Sequence, residues 1–136
     1  MFEYTNEVAV LVTAILAVAV GSVWYSPLLF GTLWMKSVGL RQEKGKDFER
    51  EMRLMIAKAI LVHGVFFFAI AQFILLSIAK GIGLPYITGL LMILLAMNVA
   101  RAAIWERRPF AYVLIEVGYL SVILFGGFAI ISQWPW

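Results

Sequence analysis

Glu116 stands seven residues past Pro109 and is the lone charged residue between positions 109 and 136. In a helix that begins near the proline, seven residues carry it about 10 Å inward. A carboxylate at such a depth in apolar surroundings needs protein, water or a partner in front of it. Tyr112 lies four residues before it and Tyr119 three after, so all three share one helical stripe. Asn98 stands seven residues before Trp105, the mirror of Glu116's position beyond Pro109. Two antiparallel helices joined by the short turn between them would bring the carboxamide and the carboxylate level. Arg101, three residues after Asn98, could reach Glu116 or extend its guanidinium towards a headgroup layer. His63, five residues beyond Lys58, would add an imidazole at a nearby depth. These six side chains could form a hydrogen-bonded knot that orients helices, a ligand or ion contact, or a proton-coupled step.

Other chemistry finds little support. One His and no Cys make a transition-metal site poor and exclude thiol catalysis, and no cofactor is implied. Ser22 and Ser26 are available, but nothing marks either as an activated nucleophile. The expected class is a non-enzymatic module that binds or transports a small solute or lipid. A structural or accessory subunit and a small intramembrane enzyme are the alternatives.

The elements that must position these residues follow from composition. Of the 136 residues 63% are hydrophobic and 14% charged, with a mean hydropathy of +0.94. A soluble domain of this size cannot hide that much apolar surface. No Asp, Glu, Lys or Arg occurs in residues 8–35, 59–79, 81–100 or 117–136. Each run suffices to cross a hydrocarbon layer about 30 Å thick. An all-α integral membrane protein is expected, a single domain over 1–136 with four transmembrane helices in an antiparallel bundle.

The spans are placed at 8–25, 54–79, 85–105 and 109–131. Thr5 or Asn6 is available to cap the first. Pro27 disfavours helix at Ser26 and predicts a break there, followed by a short interfacial segment. Residues 36–52 form the one substantial polar tract and are read as a wet loop. Pro85 and Pro109 suit the first turns of spans three and four. Trp134 and Trp136 suit the far interface. Ala17 with Gly21, and then Gly64, Gly118, Gly126 and Gly127, offer small surfaces for close helix approach.

Lys and Arg fix the expected orientation. Ten of the eleven lie in or beside the loops after spans one and three, leaving Lys80 at the other end. That asymmetry puts loops 36–52 and 106–108 in the cytoplasm and both termini outside, in a cell membrane. The net charge of +3 does not indicate a nucleic-acid binder, because the basic residues flank apolar helices and no zinc-ligand spacing or stacking module accompanies them. The acidic first residues argue against a cleaved signal peptide. Membrane lipid is the expected partner, and self-association is expected, with a dimer favoured over a trimer.

The stretch Gly21-Ser22-Val23-Trp24-Tyr25-Ser26-Pro27-Leu28-Leu29-Phe30-Gly31 is fairly specific. Trp34 and Gly39 continue it, and Asn6 provides a polar residue just before span one. Asn98, Arg108-Pro109, Glu116-Val117-Gly118-Tyr119 and Gly127 extend the pattern through the second half. In this combination the chain resembles the bacterial membrane family known as domain of unknown function 1761, over nearly its whole length. The resemblance implies a small multi-span membrane fold and brings no established reaction.

Read physically, Gly21 permits close packing, Trp24 and Tyr25 suit a membrane boundary, and Pro27 directs the chain out of helix. Phe30 and Trp34 would lay the next segment against the membrane or under the bundle. Gly31 is expected in a backbone conformation closed to other residues. A segment folded back in this way would complete a cavity beneath His63, Asn98 and Glu116.

Overall fold

A computed structural model describes residues 6–39 and 48–134 of the chain. The middle of the polar tract, with Arg41, Lys44 and Lys46, lies outside the described residues, as do Thr5 and Trp136. The described residues form α1 (Glu7–Trp24), α2 (Gly31–Val38), α3 (Phe48–Lys80), α4 (Leu84–Trp105) and α5 (Phe110–Gln133). All but α2 are long and apolar enough to cross a membrane. The protein is therefore an all-helical membrane bundle.

Local sequence explains where the helices begin and end. Asn6 caps α1, its Oδ1 accepting the Ala9 amide at 3.1 Å. Helix α1 stops one residue short of the expected end, and the chain turns through Tyr25–Phe30. Ser26 organises that turn. Its carbonyl accepts the amides of Leu29 and Gly31, while its hydroxyl donates to the Val23 carbonyl. Gly39, at φ 72°, ends α2 in the left-handed conformation that glycine adopts without penalty. Helix α3 starts six residues before the expected span, because its first turns are helical but charged. Gly81, at φ 66°, and the Ser77 hydroxyl, bonded to the Ile82 carbonyl, close the tight α3–α4 connection. Pro109 is the residue before α5 and not part of its first turn.

The core sits between α1, α3 and α5. Ala14 and Ala17 of α1 meet Phe67, Ile70 and Ile74 of α3 and Tyr119, Ile123 and Leu124 of α5. Phe67 lies on Gly127, where an added Cβ would come within 2.2 Å of its ring. Gly64 and Gly126 have open space beside them and are not used for close approach. Helix α4 packs mainly along α5 and is the least buried of the four long helices. Helix α2 lies against α5 at the end of the bundle that carries most of the Lys and Arg, hereafter the basic end.

Candidate functional site

The site starts with two glycines and two aromatic rings. Trp24 of α1 lies on Gly118 of α5, where a Cβ would come 2.9 Å from the indole edge. Tyr119 of α5 lies on Gly21 of α1, where a Cβ would come 3.0 Å from the phenol oxygen. Each ring also donates to the main chain of the opposite helix: Trp24 Nε1 to the Ile115 carbonyl at 3.1 Å, and the Tyr119 hydroxyl to the Ala17 carbonyl at 2.9 Å. This reciprocal clasp fixes the rotation of α1 against α5. Buried Trp and Tyr need such partners, since their N–H and O–H are costly to leave unpaired in apolar surroundings.

Below the clasp, Glu116 gathers the turn and α2. Its Oε1 accepts the Tyr25 hydroxyl at 3.0 Å and the Trp34 indole N–H at 2.7 Å. Tyr25 and Trp34 pack edge to face at 5.4 Å between ring centroids, and Tyr25 meets Tyr119 at 5.3 Å. The Tyr25 phenol thus serves as a donor to Glu116. Gly31 makes this possible from beneath. A Cβ there would come 2.3 Å from the Tyr25 carbonyl oxygen and 2.6 Å from the Ser26 carbonyl carbon. Its requirement is steric approach to the turn, not the unusual backbone angle expected from the sequence: the described glycines at positive φ are Gly39 and Gly81.

His63 of α3 joins from the other side. Its Nδ1 is 2.8 Å from the Ala59 carbonyl, which can only accept, so the proton is assigned to Nδ1. Its Nε2 is 3.0 Å from the Tyr119 hydroxyl. A neutral His63 ring then accepts at Nε2, and the single Tyr119 proton is shared between His63 and Ala17. The Ala17 carbonyl also faces the amide four residues on in its own helix, so redirecting that proton leaves no carbonyl stranded.

These elements line a groove of ≈ 560 Å³ at the basic end that is open on its outer side, where Ser22, Met52, Met55 and Ile56 are exposed. Val18, Gly21 and Ser22 form one wall, and Met52, Met55, Ile56 and Ala59 the other, with Tyr25, Trp34, His63 and Tyr119 around the rest. Its size falls within the range of ligand pockets, roughly 300–1,000 Å³. The surface is apolar apart from a few convergent polar groups, and flexible Met side chains suit an adaptable apolar guest.

The expected polar residues thus divide into two groups. His63, Tyr119 and Glu116 belong to one connected region, and Tyr112 is half-buried one turn before Glu116. Asn98 and Arg101 are exposed on α4 and bond each other, Arg101 Nη2 to Asn98 Oδ1 at 2.8 Å. Of the three residues expected above the cavity, His63 lines it, whereas Asn98 and Glu116 do not. Tyr25 and Trp34, read from the sequence as packing residues, are the donors that hold Glu116. Their polar atoms were the signal: an indole N–H and a phenol at the end of an apolar span need acceptors. Of the other motif residues, Phe30 packs on Trp24 at 4.7 Å between centroids, and Pro27 is exposed in the turn. No group of three His, Asp or Glu side chains suited to a metal ion converges among the described residues.

A family model described as protein of unknown function (DUF1761) matches residues 8–131. The chain belongs to the DUF1761 family. The DUF1761 match takes in the clasp, the turn, α2, Glu116 and both walls of the cavity. No curated protein and no solved structure matches the chain.

Proposed function

We propose that this DUF1761 protein is a non-enzymatic cell-membrane module that binds a single-chain amphiphile with an anionic head. The observation that carries this reading is the ≈ 560 Å³ cavity between α1 and α3, with apolar walls and His63, Tyr119, Tyr25 and Trp34 at its edges. The chain of the guest lies between Val18 and Met55. By helical register Arg53 and Lys58 flank the α3 stripe that lines the cavity, which favours a negative head at the basic end. The Lys and Arg asymmetry supports a cytoplasmic position for that end, with both termini outside. Single cysteines replacing Ser37 and Gly83 should then label from opposite faces of sealed vesicles; labelling of both from one face would reject this orientation.

The ligand reading is tested with hexadecanoate and the purified protein in nanodiscs, by native mass spectrometry. Wild type should retain the fatty acid. Ala59→Trp, which fills the cavity, should lose it, and Val62→Trp, on an exposed part of α3, should not. Equal occupancy in all three would overturn the reading. A second reading, an accessory subunit whose polar groups only specify assembly, is favoured by one observation: Trp24, Tyr25, Trp34 and Tyr119 all find partners within the chain. It predicts no selective loss of ligand in Ala59→Trp.

A further inference from the structure

Helix α4 carries polar groups on the side turned away from the bundle. Leu94, Asn98, Arg101 and Trp105 are all exposed and follow one another at intervals of four, three and four residues. That is the spacing of a seam that meets a second helix. Leu94 is 66% exposed and Trp105 81%, so none of the described residues covers the seam. Asn98 lies about 10 Å inside the end of α4 by ordinary helical rise. A carboxamide facing hydrocarbon at that depth is costly, and its one hydrogen bond comes from its own helix, through Arg101.

We propose that this face of α4 docks a second copy of the chain, two α4 helices packing in parallel with Asn98 opposite Asn98. The argument is self-complementarity. Arg101 occupies one lone pair of Asn98 Oδ1, which leaves the second lone pair and both amide hydrogens unspent. Two copies inserted with the same topology place their Asn98 residues at equal depth, so each amide can donate to the other's Oδ1 around a two-fold axis along the membrane normal. Lipid tails offer no acceptor at that level, and a different protein would need a polar group at the matching height. The Arg101 guanidinium is folded back along its own helix onto Asn98 Oδ1. This inference is independent of the ligand reading.

The sequence has no Cys, so engineered thiols report without background. Leu94→Cys in proteoliposomes should give a covalent dimer on mild oxidation at high lipid dilution, and Val62→Cys on α3 should not. Adding Asn98→Val should lower the dimer fraction about threefold or more, the range of interhelical hydrogen bonds in bilayers. Asn98→Gln, which keeps a carboxamide, should preserve it, separating loss of pairing from loss of fold. Four results would each overturn the proposal: Leu94→Cys monomeric at every lipid ratio; equal cross-linking from Val62→Cys; an unchanged dimer in Asn98→Val; or cross-linking in cell membranes only to other proteins.

Discussion

Glu116 on α5 and Asn98 on α4 lie within one residue of the same distance from the turn that joins their helices, and they meet different fates. Glu116 faces inward, where one oxygen holds Tyr25 at the end of α1 and Trp34 on α2. Asn98 faces outward and, among the described residues, bonds only Arg101, three residues along its own helix. The first group ties three elements together. The second ties no other element among the described residues and is proposed to serve a contact outside the chain. The length of a connecting turn thus sets the depth of a residue, while the rotation of each helix decides what that residue does. Here the rotation of α5 against α1 is set by the reciprocal placement of Trp24 on Gly118 and Tyr119 on Gly21.

The contrast can be broken most severely from below. Gly31→Ala would drive a methyl group into the Tyr25 and Ser26 backbone and displace α2 from Glu116. A loss of about 3 kcal/mol is expected, the upper range of overpacking, measured by detergent unfolding followed by circular dichroism. Glu116→Ala would strand the Tyr25 and Trp34 donors and should cost about 2 kcal/mol in the same assay. Glu116→Gln, which keeps one acceptor oxygen, should cost less than Glu116→Ala. Trp34→Phe removes a single bond to a carboxylate and should cost about 1.5 kcal/mol. Asn98→Ala should leave monomer stability within about 0.5 kcal/mol, as for an exposed side chain. A larger loss from Asn98→Ala than from Glu116→Ala would invert the comparison.

Much of this fold is legible in the residues. The charge-free runs located the four long helices, since apolar length is what a bilayer demands. Pro27 marks the break before α2; Thr5 and Asn6 both offer a cap for α1, and the structure uses Asn6. The first turns of α3 are not legible in the apolar pattern, because charged residues such as Arg50 and Arg53 continue a helix beyond the apolar stretch: hydropathy reports the span and not the helix. The importance of Glu116 was visible from its isolation, but its partners were not. Spacing along a chain fixes depth and carries no information on how α5 is turned relative to α4, so Asn98 looked like a neighbour. Tyr25 and Trp34 were hidden by their rings, which read as packing, although their donors are what Glu116 accepts.

Crystals grown with a fatty acid brominated along its chain would locate the guest through the anomalous signal of the bromine. The cavity reading predicts a bromine peak between Val18 of α1 and Met55 of α3, beside Trp34, with the bonds from Tyr25 and Trp34 to Glu116 kept. Bromine peaks confined to the outer surface of the bundle, with the space between those helices empty or closed, would contradict it.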